Sequence, residues 1–201
     1  MVTITCAARQ STGRLVFRVP QRAVLFAGSR NRSVDPALAG RLVTALSNNG
    51  FSYLVGCAAG VDSCFRRTLA EHPRWSDSTI VACAFASRVQ ASESRGLFAA
   101  VVVPDGLTPA AALRRRTLWM VKRAALVVLF PDDPLTGRWG RGSRLAFRAA
   151  TEQLKPVFVV SATAPPRSPV YQVAPARLFD VVDGWWAVPH PVAAGTCDEE
   201  V

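Results

Sequence analysis

Histidine is almost missing from this chain: His72 and His190 are the two that its 201 residues hold. A Cys/His nucleophilic pair therefore has little to draw on. The five cysteines, Cys6, Cys57, Cys64, Cys83 and Cys197, are odd in number, widely spaced and free of any CxxC pair. That pattern argues against a disulfide framework and against a structural zinc site, and leaves small buried side chains as the reading. No apolar run approaches the ~20 residues of a membrane span. The longest, Phe98–Val103 and Ala124–Phe130, are strand-sized. The N-terminus lacks a basic stretch followed by a long apolar one, so no secretory signal is expected and a cytoplasmic setting is the default.

Lysine is scarce as well. Lys122 and Lys155 are the only lysines in a chain whose Lys and Arg total 24 against 14 Asp and Glu, a formal charge of +10. Guanidinium groups make forked contacts to phosphate and stack on bases, so the bias suits a nucleic-acid or polyphosphate partner. A codon usage that favours arginine gives the same composition, so charge alone does not decide.

What the chain does have is alternation. Residues 22–160 read as strand Ala23–Ala27, helix Pro36–Asn48, strand Tyr53–Val55, helix Val61–Glu71, strand Thr79–Phe85, strand Phe98–Val103, helix Pro109–Arg123, strand Ala125–Phe130, helix Ser143–Gln153 and strand Val157–Val160. Continuous Val/Leu/Ala runs mark strands covered on both faces. The fold class expected is therefore α/β, a Rossmann-like open and mostly parallel sheet with helices on both faces. Asp35 suits an N-cap before Pro36, and Asn48-Asn49-Gly50 suits the end of that helix. Residues 1–21 form an N-terminal extension with a candidate short strand, Arg14–Val19. Ala162–Pro175 is too proline-rich for a core element and reads as an extended crossing segment. Leu178–Val188, with Trp185-Trp186, reads as a final strand or docking segment, and Cys197–Val201 as an acidic, frayed end.

Two apolar runs stop at glycines and lead into helices: Gly28-Ser29-Arg30, and Gly56-Cys-Ala-Ala-Gly60-Val-Asp62. Turns of this kind present backbone amides to an anion at the ends of parallel strands. Gly28, Ser29, Arg30, Gly56, Gly60 and Asp62 are thus candidate phosphate or nucleotide ligands. Asp62 serves equally as a helix cap or as a partner to a ribose or to the loop itself. A third glycine-rich loop, 131–142, enters the helix expected to be capped by Ser143, and adds Gly140, Gly142 and Ser143 to that set. Asp132 and Asp133 fit a solvated turn better than a metal site. Arg30, Arg66, Arg115, Arg116, Arg138 and Arg141 all fall near strand ends or the helices that follow, and are the candidate nucleic-acid contacts. Three consecutive arginines, 114–116, cannot share one helix face, so some of them are surface charge.

Over about residues 22–160 the chain resembles the Rossmann-like superfamily that includes DNA-processing protein A (DprA/Smf) and the LOG phosphoribohydrolases. Gly28-Ser29-Arg30 is similar to its GSR turn, and Gly56 to Asp62 to its SGxAxGxD turn. The stretch Arg116 to Ala125 resembles its RN…MV…AD helix, and Gly142-Ser143 through Val160 its GS-helix-PVFVV ending. LOG hydrolases carry a PGGxGTxxE loop, whereas Gly140 to Phe147 here holds no glutamate; Thr117 and Ala125 replace the family's asparagine and aspartate. The resemblance implies binding of single-stranded DNA or a nucleotide without catalysis, with no cofactor, help in loading a recombinase, a role in DNA processing or recombination, and a homodimer. The alternatives are a nucleotide N-glycosidase, for which Asp62, Glu93 or Asp105 would have to supply the carboxylate, and a nucleotide-sensing scaffold.

Overall fold

The computed structural model describes residues 22–136 and 138–190. The expected strand Arg14–Val19, the acidic end Cys197–Val201, Cys6 and Cys197 lie outside them. Six strands run parallel: β1 Ala23–Gly28, β2 Ser52–Gly56, β3 Thr79–Cys83, β4 Phe98–Val101, β5 Leu126–Phe130 and β6 Val157–Val159. An antiparallel hairpin, β7 Tyr171–Leu178 and β8 Val182–Pro189, completes an eight-stranded sheet in the order β4-β3-β2-β1-β5-β6-β8-β7. From β1 the chain steps outward through β2, β3 and β4, then returns to lay β5 on the other side of β1. Strand order therefore reverses between β1 and β5, where open α/β sheets form their crevice.

Side-chain alternation along each strand feeds two cores. Val24 and Phe26 of β1, Tyr53 and Val55 of β2, and Val128 and Phe130 of β5 face one way. There they meet Leu42 and Leu46 of α1 (Pro36–Asn48) and Phe65 and Leu69 of α2 (Val61–Ala70). Phe65 stacks on Phe26 with ring centroids 3.7 Å apart. Leu25, Leu54, Val127 and Leu129 face the opposite way, onto Met120 and Val121 of one further helix and Ala146, Ala149 and Ala150 of another. These are α5 (Pro109–Arg123) and α6 (Arg141–Glu152). Both faces are covered, which is why the strands read as unbroken apolar runs rather than alternating ones.

The helix starts follow from local chemistry. The Asp35 carboxylate accepts from Leu38 N at 2.8 Å, and Thr108 from Ala111 N, each with proline in the first turn. Lys155 closes α5 at its other end by donating to the carbonyls of Val121, Lys122 and Ala124. Two short helices, α3 (Pro73–Ser76) and α4 (Ser87–Glu93), have no counterpart in the sequence reading. The first buries no residue and the second only Ser92, so neither carries an apolar period to read. α6 begins at Arg141, with Gly140 rather than Ser143 at the N-cap. Gly140 is extended, its carbonyl accepts from Arg144 N, and a Cβ there would lie 2.7 Å from the Asp132 carboxylate.

The proline-rich segment also ends earlier than expected, because β7 starts at Tyr171 and includes Pro175. Among the described residues β7 pairs with no strand but β8, so a missing N–H is tolerated at this edge. Leu178 to Val181 makes the turn with Phe179 and Asp180 both at positive φ, the mirror-image turn that suits a tight hairpin. Trp186 of β8 packs edge-on against Phe158 at 5.0 Å. No helix among the described residues is long and apolar enough to cross a membrane.

Since Phe65 is fully buried and joins β1, β5 and α2, Phe65→Ala is expected to cost about 3–5 kcal/mol. Urea denaturation checks this as a lower midpoint at unchanged slope.

Candidate functional site

The two glycine turns meet at the C-terminal edge of the sheet. Ser29 N donates to Phe130 O at 3.1 Å, and Val61 N donates to Ser29 O at 3.1 Å, so the turn after β1 is held by the end of β5 and the start of α2. Gly60 has φ +67°, and a Cβ on it would collide with Ser29 O and lie 2.5 Å from the Arg30 carbonyl. At Gly28 a Cβ would meet Phe130 O and Val61 at 2.6 Å. Both glycines are therefore required by the crossing of two backbones, whatever binds above them. Ser29 is buried and its hydroxyl accepts from Asn31 N, while Arg30 stands exposed.

Beneath the second turn lies a buried ionic cluster. A Cβ at Gly56 would collide with Asp62 Oδ2 and lie 2.9 Å from the Arg116 guanidinium, so the glycine leaves room for that pair. Asp62 Oδ2 accepts from Ala58 N at 3.1 Å and lies 3.6 Å from Arg116 Nη2, with both side chains 7% exposed. Arg116 Nη1 also donates to Cys57 Sγ at 3.4 Å, and Arg66 donates to Gly56 O. Burial pushes the Asp62 carboxyl above its ordinary value, against the pull of Arg116 and of the Ala58 amide. Of the roles weighed for Asp62, the structure shows it organising the loop. Arg116 is turned inward, and a phosphate would reach it only in competition with Asp62.

The remaining candidate residues differ in their freedom. Arg115 on α5 is exposed directly beside the buried Arg116, and Arg138, Arg141 and Gly142 are exposed around the start of α6. Ser143, in the first turn of α6, is 1% exposed, and among the described residues its Oγ has no hydrogen-bond partner. The first turn of α6 has no side-chain cap. Asp133 spends its carboxylate inside the loop, accepting from Leu135 N and from the amide and hydroxyl of Thr136. Among the described residues no group of three or more His, Cys, Asp or Glu side chains is placed to hold a metal ion. Glu93 is exposed on the last residue of α4, and Asp105 is exposed in the loop between β4 and α5.

Two features escaped the sequence reading. Arg32 donates to Pro131 O at 3.1 Å and to Val160 O at 3.2 Å, with its guanidinium over the Phe130 ring, so it ties the ends of β5 and β6 together. Nothing in the sequence separates it from its neighbour Arg30. A cavity of about 330 Å³ lies beside α6, lined by Arg138, Trp139, Arg144, Phe147 and Pro166. Trp139 meets Phe147 edge-on at 5.0 Å. The aromatic between Arg138 and Arg141 was the signal for it.

Removing the cation from the buried pair tests its role. Arg116→Met is expected to cost about 3–5 kcal/mol by stranding Asp62, and adding Asp62→Asn is expected to recover part of that loss. Because the native Asp62 pKa is raised, the native state holds its proton more tightly than the unfolded chain. The stability from that proton is lost as pH rises through the native pKa, and Arg116→Met is expected to enlarge the loss. Denaturation of the three proteins across acid to neutral pH measures both effects.

No protein-family model matches the chain, and neither does any curated protein. Solved structures do match. DNA processing protein A from Helicobacter pylori, whose structure concerns its mode of binding single-stranded DNA, shares 18% identity at a TM-score of 0.51 over 74% of this chain and 67% of that one. DNA processing protein A from Streptococcus pneumoniae shares 17% identity at a TM-score of 0.53 over 76% of this chain and 53% of that one. At such identities the likeness is one of fold, and the chain has the Rossmann-like fold of the DNA processing protein A structures.

Proposed function

We propose that this protein binds single-stranded DNA along the C-terminal edge of its sheet, without catalysing a reaction on it. The observation that carries the reading is the cavity beside α6. It is lined by the half-buried Trp139 and Phe147 rings and by the exposed arginines Arg138 and Arg144. Single strands are held by this combination of aromatic faces for unpaired bases and guanidinium groups for the backbone. Arg30, Arg115 and Arg141 would extend the phosphate track along the edge. Arg66 and Arg116 would keep the turn at Gly56 and Gly60 in shape, and the start of α6 at Gly140 and Gly142 would take a phosphate oxygen on its backbone amides, while Ser143 stays buried.

Both matched DNA processing protein A structures support this reading through their fold, and the Helicobacter pylori protein supports it further because its ligand is single-stranded DNA. A cytoplasmic setting, a homodimer and assistance to a recombinase belong to the same proposal. The hydrolase alternative has little to stand on. Asp62 is locked against Arg116 and Glu93 ends α4, which leaves Asp105 on an exposed loop.

Fluorescence anisotropy with labelled single-stranded and duplex oligonucleotides across a salt series tests the proposal, with single-strand preference and a steep salt slope as the expected result. Trp139→Ala is expected to weaken binding by about 1–3 kcal/mol with the salt slope kept. Arg30→Ala with Arg141→Ala is expected to flatten the slope by about 0.7 per lost contact. Absence of binding at low salt would overturn the reading and make a small nucleotide the ligand to seek.

A further inference from the structure

The described residues include three free cysteines, and two of them form a pair. Strands β2 and β3 run parallel with Val55 opposite Val81 and Gly56 opposite Ala82. One step further along this register sets Cys57, the first residue of the glycine turn, beside Cys83, the last residue of β3. Both side chains join the core on the α1/α2 face of the sheet. Neighbouring strands lie about 4.8 Å apart, inside the separation that a disulfide spans. The two sulfurs are near enough to influence one another's proton, and Arg116 Nη1 donates to the Cys57 sulfur at 3.4 Å. The positive charge of Arg66 also acts on both sulfurs. Cys64 differs: its sulfur meets Val34 N, the Ser33 hydroxyl and Arg67, with no second sulfur among these partners.

We propose that Cys57 and Cys83 form a redox-active dithiol that a hydroperoxide oxidises to a disulfide, with Cys57 as nucleophile, Cys83 as resolving thiol and Arg116 as the positioning residue. A guanidinium donating to the Cys57 sulfur favours its thiolate, which is the reactive form. These contacts hold the Cys57 thiol well below its ordinary pKa, while the shared proton raises that of Cys83. The Cys57 thiolate attacks one oxygen of the hydroperoxide. The S–O bond forms as the O–O bond breaks, and the departing hydroxide or alkoxide takes a proton from water. The Cys83 sulfur then attacks the Cys57 sulfenic acid; the S–S bond forms, the S–O bond breaks, and the Cys83 proton leaves with the hydroxyl as water. The two cysteines lose two electrons in all, and the peroxide gains them. Oxidation also withdraws from Arg116 the sulfur it donates to, directly under the proposed phosphate-binding turn.

The test uses the full chain carrying Cys64→Ser, because Cys57 and Cys64 share the tryptic peptide 42–66 while Cys83 lies in 75–88. After treatment with hydrogen peroxide and alkylation of remaining thiols, non-reducing digestion is expected to yield these two peptides joined, and the intact protein to lose two hydrogens. With Cys83→Ser added, the same treatment in the presence of dimedone is expected to leave an adduct on Cys57. Circular dichroism confirms that both variants fold. Recovery of Cys57 and Cys83 as separately alkylated peptides, with no dimedone adduct on Cys57 in the second variant, would overturn the proposal. This outcome is independent of whether the protein binds DNA.

Discussion

The ion pair between Asp62 and Arg116 joins two helices that pack on opposite faces of the sheet. α2 packs on one face and α5 on the other, so a contact between their side chains has to pass over the ends of the strands. It passes over β2, where Gly56 offers no Cβ to block it. The other groups of the second turn are then arranged around that strap: Ala58 N points at Asp62, Cys57 Sγ at Arg116, and Gly56 O at Arg66. An ion pair this buried gives back little of its desolvation energy as net stability. What it provides is a fixed shape for a glycine-rich turn that would otherwise have many.

This divides the arginine surplus into two populations. Arg32, Arg66 and Arg116 make contacts to carbonyls, a carboxylate and a thiol inside the protein, and Arg123 lies over the Trp119 ring. Arg30, Arg115, Arg138, Arg141 and Arg144 remain exposed. Formal charge counts both alike, although only the outward group meets a partner without first giving up internal contacts. The inward group acts on a ligand through the backbone it holds.

The legible parts of the fold were those whose signals are local. Helices α1 and α5 start where a capping side chain precedes a proline, and both were read to the residue. The parallel strands were visible because burial on two faces makes their composition continuous. α3 and α4 were invisible because four and seven residues with almost no buried face leave no period. The start of α6 was misplaced because serine is the better cap by type, whereas Gly140 fits against Asp132 and Ser143 is drawn into the core. The two glycine turns were legible as turns, and their internal contacts were not. One signal was there to use: Ala112, Arg116 and Met120 fall at helical spacing on the buried face of α5, so the position alone marks Arg116 as the inward member of its run. The pairing of Cys57 with Cys83 depends on strand order, which no local pattern records.

The sheet has two edges of different character. β7 closes one with eight residues, and Pro175 in its middle has no N–H to offer an incoming strand. β4 closes the other with four residues, and its outermost side chains, Phe98 and Val101, are exposed. Growth by strand addition is thus discouraged on one side and merely brief on the other. Among the described residues, then, the two edges of the sheet are guarded unequally.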